Sequence, residues 1–127
     1  MTEETLVSIR RINPPELGVP PGYSQVVEVR GGRIIFIAGQ TALDPNGEVV
    51  GRENLNFALQ SVGCTAANLI KLTVFLRNMD NLSAYREARN RFFATVTPPA
   101  APAVTLVEVS RLYGPDFLIE IEAVAAV

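Results

Sequence analysis

Histidine and tryptophan are absent from the 127-residue sequence, and cysteine occurs once, at Cys64. The lack of histidine excludes Ser-His-Asp and Cys-His nucleophilic arrangements and histidine-based zinc sites. One cysteine cannot form a disulfide within the chain, which suits a reducing compartment, so we expect a cytoplasmic protein. Any catalysis must use carboxylates, hydroxyls, cationic side chains, backbone amides or bound water.

The sequence also lacks a large excess of charge of one sign and long runs of apolar residues. The chain has 11 Lys and Arg residues against 13 Asp and Glu, a net charge of −2, and no basic stripe marks a nucleic-acid surface. Charged residues or glycines interrupt each apolar run well before the roughly 18 residues that a membrane span needs. The acidic residues Glu3 and Glu4 argue against a targeting segment. We therefore expect no nucleic-acid or membrane partner.

The apolar residues follow a pattern that is typical of a folded protein, and we predict a single domain over residues 1–127. Strands are predicted at residues 6–12, 23–30, 33–38, 69–76, 104–109 and 118–127, and helices at 53–62 and 80–93. Gly31 and Gly32 predict a hairpin of the second and third strands, and the nearly all-apolar run at 69–76 predicts a central strand. Loops or turns are predicted at residues 13–22, 44–47, 98–99 and 113–116.

This order of elements predicts an α+β fold with both helices on one face of the sheet. The opposite face would then be bare, although several strands are apolar on both sides. Single subunits rarely expose large apolar patches, so symmetric self-assembly is the simplest expectation.

Five sequence motifs in a fixed order indicate a known family. They are Pro21-Gly22-Tyr23-Ser24-Gln25, Phe36-Ile37-Ala38-Gly39-Gln40, Asp44-Pro45-Asn46-Gly47-Glu48-Val49, Leu72-Thr73-Val74-Phe75-Leu76, and Val107-Glu108-Val109-Ser110-Arg111-Leu112 followed by Ile119-Glu120-Ile121-Glu122-Ala123-Val124. Together they resemble the YjgF/RidA (Rid) family. The resemblance implies a chorismate-mutase-like subunit, with one mixed sheet and two helices on one face, in a homotrimer with small-molecule clefts between subunits.

The resemblance also implies a chemistry, the hydrolysis of 2-imino or 2-enamino acids to 2-keto acids and ammonia without a metal or organic cofactor. The family's catalytic arginine lies in a Pro-Ala-Arg-Ser segment, which here has Val104 in the arginine's place. Valine has no donor for the two-pronged charged hydrogen bond that holds a carboxylate. Ala38 likewise replaces the usual serine, so ordinary RidA activity is in doubt.

Other positions of the family's cleft are matched. Glu120 matches a glutamate that positions or activates water as a general base; alternatively, Glu120 and Glu122 are a solvated pair on one strand face. Tyr23 matches a cleft tyrosine, or is a loop aromatic that packs on the core. Gly39 matches a glycine whose amide meets the ligand, or is needed only for backbone shape. Further ligand contacts are implied for the strand of Thr105 and Leu106.

A replacement cation is conceivable at Arg86, where some family members place a cleft-facing asparagine, or at Arg111. For both, a solvated or surface-paired arginine is the favoured interpretation. Cys64 is interpreted as inert, because nothing nearby in the sequence lowers its pKa. Between Val49 and Glu53 the chain is shorter than the family pattern by roughly nine residues. Either the first helix has about half the usual length or the sequence lacks a segment at this point.

Two hypotheses of different class follow. The first is a cofactor-independent hydrolase or deaminase acting on C=N compounds, with Glu120 and Tyr23 as catalytic residues and Gly39, Val104, Thr105, Leu106 and Arg86 as substrate contacts. The second is a non-enzymatic trimer that binds or senses a small metabolite. A ribonuclease function, also attached to this family, has no support in a chain without histidine or a basic face.

Overall fold

The computed structural model describes residues 6–41, 51–94, 96 and 101–127, with the backbone alone for 51–54. Its strands are β1 (Ser8–Ile12), β2 (Val26–Arg30), β3 (Ile34–Thr41), β4 (Leu69–Leu76), β5 (Ala103–Glu108) and β6 (Ile119–Ala126), and its helices are α1 (Gly51–Gln60) and α2 (Leu82–Ala94). Single 3₁₀ turns occupy Pro15–Leu17, Ala66–Asn68 and Met79–Asn81. The predicted turn at 44–47 and connector at 98–99 lie outside the described residues.

A four-stranded mixed sheet carries the fold, in the order β3-β6-β4-β5. Strand β4 is parallel to β5 and antiparallel to β6. The apolar run at 69–76 thus forms an interior strand with the predicted bounds, hydrogen-bonded to a neighbouring strand along each edge. The α+β class is confirmed.

The predicted hairpin of β2 and β3 is wrong. Strand β2 pairs with β1, from Ser8 opposite Arg30 to Ile12 opposite Val26, and β3 pairs with β6. Gly31 and Gly32 do turn the chain, with φ of 68° and 70°, but Arg33 then exchanges backbone hydrogen bonds with Val127. Alternation identifies a strand, whereas its partner depends on contacts distant in sequence, which the Gly-Gly signal does not contain.

The helices pack on one face of the sheet, which we call the helix face. Leu55 and Leu59 of α1 and Tyr85 and Phe92 of α2 are buried in one apolar cluster. The sheet contributes the inward side chains of β4 and β6 to it, Leu72, Val74, Leu76, Ile119 and Ala123 among them. Helical spacing in the sequence predicts one inner side for this helix, made of Leu82, Tyr85, Ala88, Arg89 and Phe92. The structure confirms it, since all five are buried or half-buried, whereas Arg86, Glu87 and Arg91 are exposed.

The alternate residues of the same strands form the other face, here called the open face. Its members follow from the pairing register: Phe36, Lys71, Thr73, Phe75, Thr105, Val107, Glu120, Glu122 and Val124. Nothing described covers this face, and Phe36 is 81% exposed. Within the described parts of the chain, no helix is long and apolar enough to cross a membrane.

Candidate functional site

Glu120 and Gly39 are brought together at the β3 edge of the sheet. Glu120 is half-buried on β6, opposite Thr41 of β3 and Phe75 of β4. Its carboxyl group lies directly over Gly39, where a Cβ atom would come within 2.6 Å of Cδ and Oε2. Register is lost between Ile37 and Gln40, so Gly39 lies in a bulge. A glycine is therefore needed here to make room for the glutamate, beyond any freedom of backbone shape.

A tyrosine that sequence reasoning treated only as part of a turn lies next to this pair. The hydroxyl groups of Tyr113 and Thr41 are 3.5 Å apart, and Thr41 is the residue paired with Glu120. The Tyr113 ring packs on Phe117 at 4.7 Å between centroids, yet Tyr113 is 79% exposed. We call Glu120, Gly39, Thr41 and Tyr113 the glutamate group. The sequence signal that could have identified Tyr113 was an aromatic residue in the Gly-Pro turn that precedes β6.

Tyr23 is fixed against the opposite edge of the sheet, at the start of β5. Its neighbour Ser24 is buried and forms an isolated parallel bridge with Ala103. The Ser24 amide donates to the Pro102 carbonyl at 2.9 Å, and its hydroxyl donates to the Ala101 carbonyl at 2.6 Å. These bonds place the half-buried Tyr23 beside the segment that carries Val104.

The three predicted contacts on β5 are divided between the two faces of the sheet. Val104 and Leu106 pair with Leu72 and Val74 of β4 and pack against the apolar cluster on the helix face. Thr105 lies on the open face, where its Oγ1 accepts a hydrogen bond from Lys71 Nζ at 2.6 Å. We call Tyr23, Val104, Thr105 and Leu106 the edge group.

Of the two arginines considered as replacement cations, neither is drawn into the fold, since Arg86 and Arg111 are both exposed. A different one, Arg89, is half-buried and lies against Gly22, beside Tyr23. Sequence reasoning placed Arg89 on the inner side of α2 but gave it no function. A long polar side chain on an inward helical position was the signal.

The glutamate group and the edge group lie on different strands of the sheet. Gly39 and Thr41 are on β3 and Glu120 is on β6, whereas the edge group is on β5 and its flanking loop, and β3 and β5 are opposite edges. Three strand spacings, about 14 Å, separate β3 from β5, and two spacings, about 10 Å, separate β6 from β5. The two groups are therefore not in direct contact within one chain.

Cys64 is buried beneath α1 and close to the Val62 carbonyl, with 3.9 Å between sulfur and oxygen. Burial raises the pKa of this thiol, and Arg33 opposes the rise, which agrees with an inert residue. No set of three His, Cys, Asp or Glu residues in the described ranges could hold a metal ion.

A mixed sheet with two helices on one face and a glutamate over a bulge glycine defines a subunit of the YjgF type. The sequence model of the Endoribonuclease L-PSP family matches residues 16–127, and the chain belongs to this family. The family resemblance of the motifs is thereby confirmed.

Similar proteins and similar solved structures support the same family. The chain is 36% identical to a RutC family protein of Synechocystis, with 94% of this chain and 97% of that protein covered. It is 37% identical to a RutC family protein of Pyrococcus horikoshii, over 81% and 85% of the two chains. The fold is similar to that of a Rid family protein from Yersinia pestis described as being of unknown function, with a TM-score of 0.77, 32% identity and coverage of 94% and 98%.

Proposed function

We propose that this protein is a cofactor-independent hydrolase of small C=N compounds that works in clefts between the subunits of a homotrimer. The observation that supports the proposal is that the residues matching the family's cleft lie in two separate groups, the glutamate group on β3 and β6 and the edge group at β5. A second copy that packs against the open face can bring its edge group to the glutamate group of the first. The exposed apolar residues of that face, Phe36 above all, supply the reason to associate.

In this reaction Glu120 activates the attacking water molecule as a general base. The substrate reacts as the protonated imine. The Glu120 carboxylate, held over Gly39, takes a proton from a water molecule as the water oxygen attacks the iminium carbon, and a neutral carbinolamine forms. Glu120 then returns this proton to the amine nitrogen, and the C–N bond breaks as the hydroxyl proton passes to the freed Glu120 carboxylate. The products are a carbonyl compound and ammonia, which leaves as ammonium once Glu120 releases its proton. The hydroxyls of Thr41, which pairs with Glu120, and Tyr113 are the groups proposed to hold the attacking water.

The decisive test is Glu120→Gln against Glu122→Gln. Both change one carboxylate to an amide on β6, but only Glu120 lies over Gly39. Imines are generated from a panel of amino acids by an amino-acid oxidase, together with one neutral imine, and ammonia release is followed. We expect Glu120→Gln to lower kcat by about 10²–10⁴-fold and Glu122→Gln to leave it within about twofold. Wild-type protein that accelerates no member of the panel contradicts the proposal.

The trimer is tested separately by sedimentation velocity at several concentrations. The expected species has three times the subunit mass. A well-folded single subunit at working concentration removes the clefts and with them the proposed site.

One observation favours the alternative of a non-enzymatic binding protein. Val104 and Leu106 present apolar side chains to the core, so β5 offers a ligand fewer polar groups than the family's arginine would. A metabolite screen by thermal shift tests this, because a ligand of the native state raises Tm. Binding without turnover supports the alternative, and turnover without any stabilising ligand rejects it.

A further inference from the structure

We propose that Arg89 is the anion-binding cation of this site and holds the carboxylate of a small anionic ligand beside Tyr23. The inference rests on the proposed function for the position of the cleft, and it names the class of ligand, a small carboxylate. Its basis is a guanidinium that lies against Gly22, in the loop whose Ser24 bridges Ala103, the residue before the position at which the family's arginine is missing.

A glycine with left-handed backbone makes room for Arg89. Gly22 has φ of 81°, and a Cβ atom there would lie 2.7 Å from Nη2 and 2.9 Å from Cζ of Arg89. Any larger residue at this position would displace the guanidinium. The loop before Tyr23 and the inner side of α2 are therefore fitted to each other at this point.

The guanidinium lacks a counter-charge in the described part of the chain. Its Nε and Nη2 donate to Asn90 Oδ1 over long distances of 3.4 and 3.3 Å, and Cζ lies 6.0 Å from the centre of the Tyr85 ring. Arg10 and Arg30, by contrast, both pair with Glu28. A partly desolvated guanidinium with unused donors is suited to bidentate binding of a carboxylate.

Arg89 and position 104 lie on the same side of the sheet. Val104 points to the helix face, into the cluster that also contains Tyr85 and Phe92 of α2. Gly22 is two residues from Ser24, which bridges Ala103. Through this loop the Arg89 guanidinium, which lies against Gly22, is linked to the start of β5, one residue before position 104. In the proposed site Arg89 supplies the charge that Val104 cannot.

The test measures binding of pyruvate and of its neutral isostere pyruvamide to the assembled protein by NMR titration at constant salt. We compare wild type, Arg89→Gln, Arg89→Lys and the control Arg91→Gln, which removes an exposed arginine from the same helix. We expect wild type to prefer pyruvate by at least about tenfold, Arg89→Gln to lose that preference, and Arg91→Gln to keep it. Arg89→Lys should restore part of the preference, because lysine returns the positive charge but lacks the paired N–H donors with which a guanidinium binds a carboxylate.

Three outcomes overturn the inference: no preference in wild type, an unchanged preference in Arg89→Gln, or an equal loss of affinity for both ligands, which would mean that Arg89 only shapes the Gly22 loop.

Failure of this inference can be distinguished from failure of the proposed function. Arg89-dependent pyruvate binding without imine hydrolysis refutes the hydrolase and keeps the anion site. Imine hydrolysis whose KM for anionic substrates is unaffected by Arg89→Gln refutes the anion site and keeps the hydrolase.

Discussion

The two faces of the four-stranded sheet are made by alternate residues of the same strands, yet only one is complete within a subunit. On the helix face Leu72 is 3% exposed, whereas Phe36, on the open face of the same sheet, is 81% exposed. The open face also mixes aromatic and aliphatic residues with Lys71, Glu120 and Glu122. The helix face therefore supplies the apolar core of the fold, whereas the open face is the one on which self-association and Glu120 chemistry are proposed.

The largest effect on folding is expected from Leu72→Ala. Leu72 is buried in the apolar cluster of the helix face, and truncation of such a residue leaves a cavity that costs about 3 kcal/mol. Urea unfolding measures the loss. A cost below about 1 kcal/mol would show that the helix face is not the tightly packed one.

Phe36→Ala is the matched truncation on the open face. It should change the stability of an isolated subunit by no more than about 0.5 kcal/mol, because the ring is mostly exposed. It should instead weaken self-association by about tenfold or more, since a buried aromatic anchor is lost from the contact between copies. Sedimentation equilibrium checks the association, and unchanged association would break the comparison.

Tyr85→Phe probes a polar defect in the helix face. The buried Tyr85 hydroxyl has no hydrogen-bond partner within the described residues, so its removal should stabilise the fold by about 1 kcal/mol at neutral pH. Burial raises the pKa of Tyr85, and Arg89 opposes the rise.

The pH dependence of that gain has a definite sign. The folded state retains the phenol proton above the pKa of the unfolded state, about 10, so the wild type loses stability as pH rises from there toward the folded pKa. Tyr85→Phe escapes this loss, and its advantage should grow above that pH. Paired thermal melts of the two proteins measure it, and an advantage that shrinks with rising pH would contradict the assignment.

The smallest effect is expected from Thr105→Val, which removes the acceptor of the Lys71 Nζ hydrogen bond on the open face. Water can replace the hydroxyl in a single subunit, so the loss of stability should stay within about 0.5 kcal/mol. Chemical denaturation checks this value. A loss above about 1 kcal/mol would mean that a second copy seals the bond from water, which would extend the buried interface to β5.

Local patterns predicted what depends on neighbours in the chain. The run at 69–76 gave β4 with its observed bounds, and helical spacing gave the inner side of α2. The match of Glu120 and Gly39 to family positions anticipated a pair that the structure brings into contact. The sequence could not predict the partner of β2, the packing of Val104 on the helix face or the contact of Arg89 with Gly22. Each depends on elements that meet only after folding.

The sequence by itself determined the fold class, the family and the periodicities that give the sheet two different faces, because these follow from residue order and from the apolar pattern. Only the tertiary structure decided which strands pair, that Glu120 lies over Gly39 while Tyr23 lies at the other edge of the sheet, and that Arg89 contacts Gly22. Those relations join residues that are far apart in the chain, and hydrophobic alternation carries no record of such distances.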